Sequence, residues 1–248
     1  MKKIISLLTA LVWILLCGCT PVSDTEETSA FSDSLTETDV TVTETTETSL
    51  SDTSETTEST FYCSDFTFAK PVIYLYPEEK TEISVSIDWN GALTHTYPAY
   101  EDGWHVLAFP DGKLKNLSDG REHDYLFWEG KMDAVFDMSC GFVVKGEDTV
   151  PFLQDILAKM GLTDREANDF IVYWLPYMEN NPYNLITFQN EAYAEMVHLK
   201  ISPTPKSVLR VFMVFRALEE PISVDAPEIT PFERDGFTVV EWGGTEIK

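Results

Sequence analysis

The sequence predicts an α+β domain over residues 61–248, with short antiparallel β-strands in the first half, two helices, then further strands, all in one compact unit. Three observations predict it. Apolar and polar residues alternate with period two through the stretches before residue 130. Two amphipathic, capped segments follow from Thr149 to Met178, and alternating β-branched runs then return from Asn184 towards the C-terminus. Residues 1–60 have a different character and build no core.

Lys2 and Lys3 precede the apolar run IISLLTALVWILL, which ends at Cys17-Gly18-Cys19. A basic start, a short apolar stretch and small residues at the cut read as a secretory signal over residues 1–18. The run falls short of the ~20 apolar residues that a membrane span needs. Leu16-Cys17-Gly18-Cys19 resembles the lipobox of bacterial lipoproteins, and that resemblance implies lipid attachment at Cys19 and cleavage before it. Residues 19–60 then read as a lipidated cysteine and an acidic stalk. Pro21 to Thr60 holds 21 Ser or Thr and 11 Asp or Glu with no Lys or Arg, too little apolar surface to offset the entropy of ordering.

Within the domain, PVIYLYP is a short β-rich run bounded by prolines. In ISVSIDW, Ile83, Val85, Ile87 and Trp89 share one face of a strand. Asn90-Gly91 is a strong turn signal, so ALTHTY is expected to pair with it as a hairpin. GWHVLAF and HDYLFWE complete the first set of strands. Thr149 then suits an N-cap, Pro151 the first helical turn and Gly161 the stop. Thr163-Asp164-Arg165-Glu166 reads as a capping box opening a second helix, which Pro176 should bend or end. NLITFQ, MVHLKIS, SVLRVFMVF and GFTVVEW are the closing strands.

KPVIYLYPEE, the DGW at Asp102, YLFWEG, GFVVKGED, the Thr163 helix ending in VYWLPYM, and GFTVVEWGGT together resemble a group of bacterial secreted proteins and lipoproteins. The likeness covers nearly all of residues 68–246. It implies an extracytoplasmic domain and carries over no activity, cofactor, ligand or catalytic residue.

Charge and composition exclude several functions. The domain keeps 31 acidic against 15 basic residues, a net charge of −16, which argues against nucleic acid and against direct contact with anionic lipid heads. No GxGxxG, P-loop, HExxH, GxSxG or EF-hand loop is present, and neither a cofactor nor a metal is expected. Outside the cytoplasm a Cys63–Cys140 disulfide would pin the stalk junction to the core; alternatively Cys140, beside GFVV, packs as a free thiol. His95, His105 and His198 each fall within a strand, and His123 falls in a polar, solvated acidic turn.

Two glutamates pose the sharpest question. Glu129 shares a strand face with Tyr125 and Phe127, and Glu241 shares one with Phe237 and Val239. A carboxylate ending such a row costs several kcal/mol unless it is paired. Arg210 and Arg216 lie on one face of VLRVFMVFR, so the expected arrangement is an ion pair of either arginine with Glu129 or Glu241. The competing reading makes Glu129, Glu241 or His105 catalytic groups of a surface hydrolase acting on a glycoside or peptide, with Trp104, Trp128, Trp174 and Trp242 as sugar platforms. The first expectation is a membrane-anchored, outward-facing envelope lipoprotein presenting a binding domain for a surface protein, peptide or glycan.

Overall fold

The computed structural model describes residues 60–248, with side chains from residue 66 onward. The signal and stalk readings, Cys19 among them, lie outside the described residues. The described strands are β1 (Thr60–Tyr76), β2 (Thr81–Trp89), β3 (Ala92–Tyr97), β4 (Trp104–Ala108), β5 (Leu114–Asn116), β6 (Glu122–His123), β7 (Leu126–Asp137), β8 (Phe142–Lys145), β9 (Tyr183–Phe188), β10 (Val197–Ser202), β11 (Ser207–Leu218) and β12 (Thr238–Glu246). The helices are α1 (Thr149–Met160), α2 (Asp164–Met178) and the short α3 (Asn190–Met196).

This corrects the expected class. Strand dominates, and the strands are extensive: β1 runs for 17 residues and β7 and β11 for 12 each. Prolines and glycines that read as strand ends are passed inside longer strands. β1 continues through Pro71 by a register shift between Ala69 and Val72, and β7 continues through Gly130 to Asp137. In the second half, β11 and β12 run parallel. A third helix, which the sequence pattern did not signal, joins β9 to β10.

Seven strands form one sheet in the order β3-β7-β1-β12-β11-β9-β8, and five form a second in the order β10-β2-β4-β5-β6. The larger sheet is the middle of three layers. Ile73, Leu75, Leu126, Trp128, Phe212, Val214 and Val239 on one face meet Ile83, Val85, Trp104 and Val106 of the smaller sheet. Val72, Tyr74, Val211, Met213, Val240 and Trp242 on the other face meet Leu153, Leu157, Phe170 and Trp174 of α1 and α2. Central strands of such a sheet are covered on both sides, which is why β12 is buried at every position from Thr238 to Thr245. Each fully covered side chain of the size of Leu75 or Phe212 contributes roughly 1.5–3 kcal/mol.

The expected hairpin at Asn90-Gly91 is also corrected. β2 pairs with β4 and β10 in the small sheet, whereas β3 pairs with β7 in the large one. The turn therefore carries the chain between layers. The Trp89 ring occupies the space beside Gly91 and Gly130, so neither position has room for a side chain.

α1 begins with buried Thr149 as a helical residue, and Asp148 takes the N-cap place without a capping hydrogen bond. Gly161 ends α1 in the left-handed region, at φ 99°. α2 opens on the capping box: the Glu166 amide donates to Thr163 Oγ1 at 3.4 Å, and the Thr163 amide donates to Glu166 Oε2 at 2.8 Å. Pro176 lies inside α2, which runs on to Met178. Residues 219–237, an irregular strap between β11 and β12, bring Ile229 and Phe232 against the helix-side core.

Candidate functional site

Glu241 is fully buried between the sheets. Its Oε1 accepts from Trp128 Nε1 at 3.1 Å and from the Tyr193 hydroxyl at 3.0 Å, and its Oε2 accepts from Arg210 Nε at 2.7 Å. Arg210 Nη2 stands 2.6 Å from the same oxygen but off a hydrogen-bonding axis, so that contact is ionic. Arg210 and Glu241 are direct register partners on β11 and β12. The guanidinium lies 4.3 Å from the centre of the Tyr193 ring, and its Nη1 donates to the Val197 carbonyl on β10. Burial lowers the Arg210 pKa, but Glu241 and Tyr193 outweigh it and hold the pKa above its ordinary value. Both oxygens of Glu241 thus meet donors from other elements, and the group joins both sheets and α3.

Glu129 lies on the other face of the large sheet. It is the neighbour of Trp128, which points to the sheet–sheet core, and so it shares the helix-side face with Tyr125 and Phe127. Its Oε1 accepts from the Lys70 amide at 3.2 Å, and its Oε2 is 3.3 Å from His95 Nδ1. The two glutamates therefore do not share a groove, and each already has partners. Arg216 stands six residues beyond Arg210 on β11, about 20 Å along the strand and out of reach of Glu241.

The other sequence candidates are dispersed. His105 is exposed on the outer face of the small sheet, with Nδ1 2.9 Å from Ser84 Oγ and Nε2 4.0 Å from Asp102. His198 is exposed on β10. His123 is buried, not solvated, with its ring edge-on to Tyr97. Trp104, Trp128, Trp174 and Trp242 are all core side chains and offer no platform. Cys140 is an exposed free thiol; Cys63 lies opposite Ala134 in the β1–β7 register, and its side chain is outside the described residues. Among the described residues, no group of three or more His, Cys, Asp or Glu is placed to hold a metal.

What the structure does bring together is a cleft of about 410 Å³ lined by Lys70, Tyr125, Asn168, Asp169, Val172, Tyr173, Pro176 and Tyr177. Lys70 is the described non-glycine residue with a left-handed backbone, at φ 56°. Such a conformation costs a β-carbon-bearing residue roughly 1–2 kcal/mol and persists only where the surroundings enforce it. Here the bond from the Lys70 amide to Glu129 helps to hold it. The Lys70 ammonium then sits 5.2, 5.0 and 5.8 Å from the ring centres of Tyr125, Phe127 and Tyr173.

α2 supplies the wall. Asp169, Tyr173 and Tyr177 follow one another at four-residue spacing, as do Asn168, Val172 and Pro176, so both columns face the same side. The Tyr74 hydroxyl donates to Asp169 Oδ2 at 2.9 Å and fixes that carboxylate at the cleft base. Burial, and then the nearby Glu129 carboxylate, push the Tyr173 hydroxyl above its ordinary pKa; burial and Asp169 do the same for Tyr74. Both stay neutral donors. Tyr177 is 50% exposed and Val172 is 74% exposed, so the upper wall is open.

Sequence reasoning missed this cleft. Six of its eight residues come from three of the strings that carried the resemblance, KPVIYLYP, YLFWEG and VYWLPYM, and Asn168 and Asp169 from earlier in α2. The one available signal was a tyrosine column at helical spacing on a segment whose apolar stripe was already complete without it.

No family model matches the chain, and no solved structure matches it. A similar protein is described as an uncharacterized protein in the bglA 3′ region of Butyrivibrio fibrisolvens, 53% identical over 64 residues. The match takes in 25% of this chain and 65% of that protein's own length. That relative's description carries no activity.

Proposed function

We propose that the chain is a membrane-anchored cell-envelope lipoprotein that presents a binding domain, with the ligand seated in the cleft between Lys70, Tyr125 and α2. The observation that carries the reading is the separation of the two glutamates. Glu241 is consumed by Arg210, Trp128 and Tyr193 inside the core, while Glu129 braces the strained Lys70 backbone at the floor of an open cleft lined by tyrosines. Glycoside cleavage needs two carboxyls facing each other across one groove, about 5–9.5 Å apart. A carboxylate enclosed by donors, as Glu241 is, serves architecture, and a lined, open concavity serves recognition. The Cys19 lipobox and the acidic stalk would hold the domain outside the cytoplasm and away from the bilayer.

Two measurements test this. Mass spectrometry of the mature N-terminus should find a lipid-modified Cys19, and Cys19→Ser should release the protein from membranes. Separately, the full chain is titrated with glycan and peptide fractions of bacterial envelopes while thermal unfolding is followed. One fraction should raise the midpoint, and Val172→Trp, which fills the cleft from an exposed position, should abolish the rise. Cleavage of either fraction at a rate that Glu129→Gln eliminates would refute the binding reading in favour of a hydrolase.

A further inference from the structure

We infer that the cleft takes a neutral carbohydrate chain. The inference rests on the binding reading above and adds the chemical class of the ligand. Four features point the same way. First, the exposed part of the cleft combines the Tyr177 ring with hydrogen-bonding groups, the Asn168 carboxamide and the Asp169 carboxylate held by Tyr74. A sugar ring needs that combination, because it presents an apolar C–H face to an aromatic ring and hydroxyls at its edge.

Second, Pro176 removes a donor from the interior of α2. With no N–H at Pro176, the Val172 carbonyl lacks its helical partner, and both residues line the cleft. The wall therefore carries a main-chain acceptor without its usual helical donor. Third, the cationic place among the rings is filled by the Lys70 ammonium, so a positively charged ligand finds the faces of Tyr125 and Phe127 already covered. The excess of acidic groups in the domain repels an anionic polymer.

Fourth, a peptide lacks its usual means of attachment. β1 is paired with β7 and β12, and β7 with β3 and β1, so neither strand at the floor has a free edge to which a chain could add.

The test titrates the full chain by calorimetry with cello-, malto-, manno- and xylo-oligosaccharides, with oligogalacturonate as an anionic contrast and proline-rich and glycine-rich peptides as a third arm. At least one neutral series should bind. Tyr177→Ala should weaken it roughly three- to tenfold, as expected for loss of one aromatic contact, and Tyr177→Phe should retain it. Tyr177 is half exposed, and an unchanged melting temperature in both variants separates a lost contact from a lost fold. Neutral sugars that bind Tyr177→Ala as tightly as the parent overturn the assignment to this cleft. Binding of peptides or oligogalacturonate in a Tyr177-dependent way, without neutral sugars, overturns the carbohydrate class and leaves the binding reading standing. Absence of binding in every arm overturns both.

Discussion

Replacing Glu241 by glutamine isolates what the buried ion pair does. The shape is kept, and Trp128 Nε1 and the Tyr193 hydroxyl can still donate to the amide oxygen. The other end of the new side chain is an NH2 group directed at Arg210 Nε and Nη2, which stood 2.7 and 2.6 Å from the lost carboxylate oxygen. Donor then faces donor, and a guanidinium that is 11% exposed loses its counter-charge. Removing one partner of such a pair costs about 3–5 kcal/mol. For a folded region of this size each kcal/mol moves the midpoint by about 2–4 °C, so the expected fall is roughly 6–20 °C. Urea unfolding followed by tryptophan fluorescence reads the free energy directly. The pairing makes a second, sharper prediction: Arg210→Met combined with Glu241→Leu should be less destabilised than the sum of the two single variants by at least about 1 kcal/mol. Additive losses, or a Glu241→Gln variant within about 1 kcal/mol of the parent, would refute the reasoning.

Lys70 separates strain from cation–π contact: Lys70→Ala loses the ammonium over three rings and keeps the left-handed backbone, so it should cost about 1 kcal/mol, whereas Lys70→Gly also relieves the strain and should be the more stable of the two in urea. Glu166 is fully buried, bonded to the Thr163 amide and the Tyr76 hydroxyl and paired with Arg234 of the strap; Glu166→Ala should cost about 3–5 kcal/mol. It should also speed amide exchange across residues 219–237. Hydrogen bonding from Lys113, and then the Arg165 charge, hold the Asp124 carboxyl below its usual pKa. Its contribution is therefore present above the unfolded value near 3.8 and is lost as pH falls through the lower folded value. Asp124 is half exposed, so the effect is under about 1 kcal/mol, seen as a shallower acid limb in melting curves of Asp124→Asn.

Local patterns in the sequence carried much of this fold. Strand parity put Arg210 on one face with Phe212 and Val214, and Glu241 with Val239, and the structure has those rows between the sheets. The capping box at Thr163 and the stop at Gly161 were readable because each is settled by a few neighbouring residues. What failed was decided at a distance. Parity assigns a residue to one face of its own strand, but it cannot say which layer that face meets, so Glu129 and Glu241 looked alike. The turn at Asn90-Gly91 has hairpin chemistry, yet β7 and β4 compete for the strands it joins, and the two strands enter different sheets. Pro176 carries a local rule against helix, and the packing of Trp174 and Met178 on the core overrides it. The cleft was invisible for the same reason, since Lys70 and Tyr125 lie roughly a hundred and roughly fifty residues from the α2 wall in the chain.

β12 lies between β1 and β11 at the middle of the larger sheet. The strands on one side, β3, β7 and β1, meet those on the other, β11, β9 and β8, only through it. Because ribosomes deliver a chain from its N-terminus, both wings of the sheet emerge before the segment that unites them. Until Thr238–Glu246 arrives, β1 and β11 each present a bare inner edge, a state open to mispairing with other chains. The larger sheet therefore closes only when Thr238–Glu246 slots in between its two wings.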